Sequence, residues 1–300
     1  MSILSVKNLT KNYGKHEVLK GINIEINEPG IYAVIGPNGS GKTTLFNVIS
    51  NLLSPTSGEI EVVGLKNTNS DIFYKVSFLK DNRVLYDYLS GYDHLSFIRS
   101  AQKLPKERID EVIKKMQIES YVNKRVGDYS LGMKQSLLIA MAILNEPKLM
   151  ILDEPLNGLD PTAVIKVRHL FKDLAEKGTA ILISSHTLSE IDLLTDQIMF
   201  LKDGKMVEEK LDSSKDNRYE IIISEFDIEK AKNIDYEGMR YEFENNKLTI
   251  NLGLNSITYL LEKFENANIS FTDITKKKRG SEERYMEMFP EEMEKIKGVI

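Results

Sequence analysis

The chain has 300 residues, of which 41% are hydrophobic, enough to build the cores of two domains and too apolar for a disordered protein. Its 40 basic and 45 acidic residues are spread along the chain and leave a net charge of −5, so no nucleic-acid partner is expected. Cysteine is absent, which excludes disulfide frameworks and thiolate metal centres and suits a reducing cytosol.

The N-terminus lacks the basic start and apolar run of a signal peptide. The longest apolar stretch, Leu137 to Leu144, falls far short of the roughly 20 residues that span a bilayer. A role at a membrane would need another polypeptide to supply the spanning part.

In chain order, apolar and polar residues first alternate (Ile3, Val6; then Val18, Leu19, Ile22, Ile24, Ile26), with turn signals at Asn12 to Lys15 and at Glu28-Pro29-Gly30. This pattern predicts antiparallel strands, joined by another at Gly58 to Val63. Helical periodicity follows from Tyr92 through Arg99 and from Lys106 through Met116. Nearly uniform apolar runs at Lys148 to Leu152 and Thr179 to Ile183 flank an amphipathic helix from Pro161 to Lys177 that stops at Gly178. Strand, helix, strand predicts a parallel sheet in an α/β core.

A stretch with neither periodicity nor apolar content, Leu211 to Asn217, predicts a boundary. Beyond it the pattern reads strand (Arg218 to Ser224), helix (Asp227 to Ile234), strand (Met239 to Glu244), strand (Lys247 to Asn251), helix (Ser256 to Ala267) and strand (Ile269 to Thr275). That βαββαβ order predicts a small ferredoxin-like α+β domain. A last amphipathic helix, Ser281 to Met293, carries Tyr285, Met288 and Phe289 on one side.

The strongest functional signal is Gly36-Pro37-Asn38-Gly39-Ser40-Gly41-Lys42-Thr43-Thr44, between a buried strand (Ile31 to Ile35) and a helix start (Thr44 to Ile49). Its glycines let the backbone wrap an anion with successive N–H groups pointing inward, and the helix adds its positive end. Lys42 reaches the β- and γ-phosphates as a mobile point charge, and the Thr43 hydroxyl can ligand magnesium. A bound nucleoside triphosphate follows.

Asp153 and Glu154 end the apolar run Lys148 to Leu152, and the carboxyl ends of parallel strands are where such sheets bind ligands. Asp153 is the expected magnesium partner, and Glu154 is left to polarise the attacking water as general base. His186, after Leu182-Ile183-Ser184-Ser185, stands at another strand end where an imidazole can touch a γ-phosphate oxygen. Tyr13, in Lys11-Asn12-Tyr13-Gly14, offers a ring to stack on a base.

These motifs, with Tyr129-Ser130-Leu131-Gly132-Met133-Lys134-Gln135 just before the carboxylate strand, resemble the ATP-binding subunit of ABC transporters over about residues 1 to 210. The resemblance implies a P-loop NTPase of residues 1–211: a RecA-like core with an antiparallel β subdomain and a helical subdomain at about 83–135. The accessory α+β domain would then occupy 217–300. It further implies ATP and Mg2+ as ligands and a head-to-tail dimer, homo- or heteromeric. In that dimer Ser130 and Gly132 of one subunit close over ATP held on the phosphate loop of the other. On this likeness Tyr13 stacks on adenine, Asp160 lies in the dimer-communication loop and His186 senses the γ-phosphate.

Two departures stand out. The signature reads Y-S-L-G-M-K-Q where the family has L-S-G-G-Q, a form similar to that of exporters of antibiotics, bacteriocins and peptides, and Asp81 occupies the usual magnesium-binding glutamine position. The segment Asn82 to Tyr92 resembles the stretch that contacts the membrane subunit. The function implied is an ATPase driving a separate permease from the cytoplasmic face of the membrane. A soluble switch acting on ribosomes or DNA, and a cassette that binds ATP without turnover, are the alternatives.

Overall fold

The structure, a computed structural model, describes residues 2–208, 217–277 and 280–291. Apart from Asn217, the boundary expected at Leu211 to Asn217 lies outside the described residues, as do the last two residues of the expected C-terminal helix. Contacts divide the chain into two units, Met1–Glu209 with Tyr285–Ile300, and Lys210–Arg284.

The first unit opens with the hairpin β1 (Leu4–Tyr13) and β2 (His16–Ile26), turned at Gly14 with φ 60°. Alternation buries Leu4 and Val6, then slips by one at Asn8, whose φ of 48° marks a bulge before Leu9 becomes the next buried residue. Next come β3 (Gly30–Ile35), α1 (Lys42–Ile49), β4 (Ser57–Val62), the short β5 (Leu65–Lys66) and β6 (Val76–Leu79). The helical insertion holds α2 (Gly91–Ala101), α3 (Glu107–Met116) and α4 (Leu131–Ile143). Then follow β7 (Leu149–Asp153), α5 (Pro161–Glu176), β8 (Ala180–Ser184), the one-turn α6 (Leu188–Asp192), β9 (Ile198–Lys202) and β10 (Lys205–Glu208).

These strands make an antiparallel sheet in the order β2-β1-β4-β5 and a larger sheet in the order β10-β9-β3-β8-β7-β6. In the larger one β3, β6, β7, β8 and β9 run parallel and β10 is antiparallel. Its two faces carry different cores, as period-two alternation requires. Ile31, Ala33, Ile35, Met150, Leu152, Ile181 and Ile183 face α4 and α5, while Val34, Leu149, Ile151 and Leu182 face α1 and the antiparallel sheet. Because β8 lies between β3 and β7, Ser184 is in register with Val34 on one side and Asp153 on the other. The sheet thus brings three strand ends to one edge.

Helix α4 and strand β6 are among the elements that escape a periodicity reading. Helix α4 is buried on most sides, so its sequence shows no polar stripe, and β6 is only Val-Ser-Phe-Leu. Phe289 packs edge-on to Phe200, and the Lys202 ammonium donates to the Met288 carbonyl oxygen at 2.5 Å. These contacts fasten the last described residues to the first unit.

The second unit contains β11 (Arg218–Ile223), the short α7 (Ile228–Lys232), β12 (Arg240–Glu244), β13 (Lys247–Asn251), α8 (Ile257–Asn266) and β14 (Phe271–Lys277). Helix α9 (Ser281–Met288) follows. The sheet order is β12-β13-β11-β14 with every neighbouring pair antiparallel, the arrangement of a ferredoxin-like βαββαβ unit. Ile221, Ile223, Leu248 and Ile250 on one sheet face pack with Leu260 and Phe264 of α8.

Candidate functional site

The phosphate loop leaves the end of β3 and is shaped by close approaches. A Cβ at Gly36 would lie 2.5 Å from the Leu201 carbonyl oxygen, and Gly41, with φ 105°, faces Val18 so closely that a Cβ would sit 3.0 Å from its methyl carbon. Gly41 is also the N-cap of α1. It supplies no side-chain cap, and the first turn has no acidic residue, so the leading N–H groups of α1 have no side-chain acceptor. The Ser40 hydroxyl is buried with no hydrogen-bond partner among the described residues. Orphaned donors around a glycine-rich turn fit an anion such as a phosphate chain.

Lys42 is buried, and its ammonium donates to the carbonyl oxygens of Gly36 at 2.6 Å and Pro37 at 3.1 Å. Burial lowers its pKa, opposed by the charges of Glu154 and Asp153. A cavity of about 620 Å³ opens beside it. Asn38, Gly39, Gly41, Lys42, Thr43 and Thr44 line it from the loop, and Asp153 and Glu154 from the end of β7. Expected Asp81 lines it as well, together with Val18, Lys80 and Arg83, which were not foreseen, whereas Gly36, Pro37, Ser40 and His186 are not among its lining residues.

The two carboxylates are held through Ser184, which is fully buried at the end of β8. Its hydroxyl donates to Asp153 at 2.6 Å and accepts the Glu154 N–H at 3.0 Å. Glu154 takes a left-handed backbone, φ 52°, rare for a side chain of its size and typical of strained functional turns. Its Oε2 then lies 2.8 Å from His186 Nδ1 and 3.3 Å from the His186 backbone nitrogen, which donates to it. The imidazole is largely exposed and the carboxylate partly covered. A carboxylate turned by its backbone and held by a histidine can accept a proton from a water in that cavity.

Other expected residues stand apart from this cavity. Tyr13 is exposed near the end of the β1–β2 hairpin, beneath the Lys11 ammonium at 5.3 Å, whereas Val18 of β2 lines the cavity. Ser130 caps α4 by accepting the Met133 N–H at 3.2 Å. Asp160 caps α5 by accepting the N–H groups of Thr162 and Ala163. A Cβ on Gly132 would come within 3.2 Å of the Gly158 carbonyl oxygen, so the signature start lies against the turn that follows β7. Gln135, buried in α4, reinforces this by donating to the Pro155 carbonyl oxygen at 2.7 Å. Both oxygens of Asp81 are engaged by Arg83, whose hydrogen bonds hold the aspartate below the usual carboxylate range.

Sequence reasoning missed Ser184, Gln135 and Arg83. A hydroxyl closing an otherwise apolar strand and a lone amide inside an apolar helix were readable signals for the first two, whereas Arg83 had none. In the Asn82–Tyr92 segment Tyr86 and Tyr88 are more than half exposed. Buried His94 fixes this loop by accepting the Tyr86 N–H at Nε2, 3.0 Å, with Nδ1 at 2.7 Å from the Ser90 carbonyl oxygen.

A family model described as "ABC transporter" matches residues 19–157. The lantibiotic transport ATP-binding protein SrtF of Streptococcus pyogenes is 36% identical, over 77% of this chain and 100% of that protein. An uncharacterized ABC transporter ATP-binding protein of Bacillus subtilis, YhcH, is 32% identical over 98% of each chain. The chain belongs to the ATP-binding subunits of ABC transporters.

Solved structures agree with this ABC-transporter assignment. An ATP-binding subunit of an ABC transporter superposes with TM-score 0.66 and 28% identity over 71% of this chain and 92% of its own. A dimeric ATP-binding cassette in a post-hydrolysis state with ADP and Pi gives 0.64 and 28%, over 69% and 98%. The RecA-like core with its antiparallel and helical subdomains is therefore the ABC ATPase fold, and the chain is an ATP-hydrolysing subunit that acts with a membrane permease. Membership implies use of ATP and Mg2+. No helix among the described residues is long and apolar enough to cross a membrane.

Proposed function

We propose that this ABC-transporter subunit binds ATP on Gly36 to Thr44, hydrolyses it with Glu154 as general base, and thereby drives a separate export permease. The observation that carries the reading is the convergence of Lys42, Thr43, Asp153 and Glu154 on one cavity, with His186 hydrogen-bonded to Glu154.

Lys42 exchanges the carbonyl oxygens of Gly36 and Pro37 for phosphate oxygens, and the leading amides of α1 and the Ser40 hydroxyl take up the rest of the anion. Thr43 and Asp153, a hydroxyl and a carboxylate, suit magnesium as hard oxygen donors, and Asp81 is a further candidate. Magnesium supplies charge neutralisation on the phosphates when bound. Glu154 accepts the proton of the attacking water, and His186 orients that carboxylate and reads the terminal phosphate.

Tyr13 stacks on the adenine. In a homodimer or heterodimer, Ser130 and Gly132 of one subunit cover the phosphates on the other, with Asp160 at the contact between them. The exposed Tyr86 and Tyr88 offer a surface to the permease, and in this reading the subunit works at the cytoplasmic face of the membrane. Export of peptide-like antibiotics is supported by the Ser-Leu-Gly-Met signature. It is supported also by the names of relatives such as SrtF and the bacitracin transport ATP-binding protein of Bacillus licheniformis, 38% identical over 69% of this chain and 69% of its own.

The test is reconstitution with the permease in vesicles. ATP hydrolysis should rise on adding a lantibiotic or bacitracin, and Lys42→Ala should abolish it. Vigorous hydrolysis that no such peptide changes would remove the export assignment.

A further inference from the structure

We infer that Arg83 is a ligand for the terminal phosphate of the triphosphate, held on Asp81 in this structure and passed to the nucleotide when ATP enters. The inference rests on the nucleotide reading of the cavity and adds a residue to it. Arg83 and Asp81 line the same cavity as Lys42, Thr43 and Glu154.

The Asp81 carboxylate accepts from Arg83 three times: Oδ1 from its backbone N–H and from Nε, both at 3.0 Å, and Oδ2 from Nη2 at 2.6 Å. This is the fork geometry with which a guanidinium grips a carboxylate, and phosphate oxygens satisfy the same fork. The Arg83 side chain is 83% exposed, so solvent screens the pair and packing does not detain it.

The charges around the cavity favour transfer. Lys42, Lys80 and Arg83 face Asp81, Asp153 and Glu154, so the lining is balanced without a ligand charge. An entering triphosphate brings several negative charges, and Arg83 is the cation already placed at the rim in a form suited to two-point phosphate binding. Departure of the guanidinium would free Asp81 Oδ2 while Oδ1 keeps the Arg83 backbone N–H, and the cavity shared with Thr43 and Asp153 is one where oxygen donors suit a divalent cation. Asp81 also caps the 3-10 turn Asn82–Val84 through the Arg83 backbone N–H, so the carboxylate that holds the guanidinium is itself fixed at the start of that turn.

The experiment compares fluorescent trinitrophenyl-ATP and trinitrophenyl-ADP binding to the full chain without magnesium. Arg83→Gln should weaken ATP by about tenfold and ADP by less than about twofold, with Arg83→Lys between, because a charge-assisted contact to the terminal phosphate is lost. Asp81→Asn, which releases Arg83, should tighten ATP by a few-fold. Equal losses for ATP and ADP in Arg83→Gln, or none, would overturn the inference. Lys42→Ala separates the two levels: loss of both nucleotides there with wild-type behaviour of Arg83→Gln defeats Arg83 alone. Unchanged ATP binding by Lys42→Ala defeats the nucleotide reading beneath it.

Discussion

Ser184 has no direct part in the proposed chemistry, yet it touches both residues that do. Its hydroxyl is donor to Asp153 and acceptor for the Glu154 N–H, so one side chain sets the position of the candidate metal ligand and the turn of the candidate base. Ser184→Ala should lower ATP hydrolysis by about 10–100-fold and raise the magnesium concentration needed for half-maximal rate, as loss of a supporting contact does at metal sites. Wild-type rate and magnesium dependence in steady-state assays would show that the strand ends hold the carboxylates without it. Glu154 itself takes a strained backbone at φ 52°, and Ser184 and His186 both hold that turn.

Among the elements, α4 links the signature to the carboxylate strand. Ser130 caps it, Gln135 reaches the Pro155 carbonyl, and Tyr129, just before it, donates its hydroxyl to the Tyr121 carbonyl oxygen at 2.8 Å. Burial pushes the Tyr129 hydroxyl up to about 12. A phenol whose folded pKa is raised above its ordinary value of 10 loses folding stability as pH climbs between the two, because the unfolded chain ionises first. Urea melts from pH 9 to 12 should therefore fall less steeply for Tyr129→Phe than for wild type, and identical slopes would remove Tyr129 from that window.

The residues after α9 carry a second element-scale prediction. Phe289 is buried against Phe200, and its ring lies under the Lys202 ammonium at 5.5 Å. Phe289→Ala should cost about 3–5 kcal/mol in denaturant unfolding, the range for a large buried aromatic. A change under about 1 kcal/mol would place Phe289 outside the core. Much of this architecture was legible in advance. Alternation disclosed β1 and β2, uniform apolar runs disclosed β3, β7 and β8, and Asp160-Pro161 and Gly178 bracketed α5. Helix α4 and strand β6 stayed hidden because one is buried all round and the other is four residues long.

For the whole molecule, the order β3-β8-β7 places three sequence-distant strand ends side by side, and this explains why Gly36 to Thr44, Asp153, Glu154 and His186 are neighbours. Glycine spacing and paired acids revealed those residues because their chemistry demands particular residue types. Ser184 and Gln135 act through partners 20 to 31 residues away that only folding brings near, whereas Arg83 pairs with Asp81 two residues before it and was hidden because no motif marks it. Ser130, Gly132 and Asp160 do not line the cavity, as residues proposed to act across a dimer need not, and Tyr13, proposed to stack on the adenine, stands outside its lining as well.

The central claim is that Glu154 performs the hydrolytic proton transfer on ATP held by the phosphate loop. Single-turnover hydrolysis of radiolabelled ATP by Glu154→Gln, with binding measured in parallel, tests it most directly. The account predicts ATP affinity within about threefold of wild type and hydrolysis slowed at least about 100-fold, since a positioned base contributes that much. Turnover near the wild-type rate would contradict it.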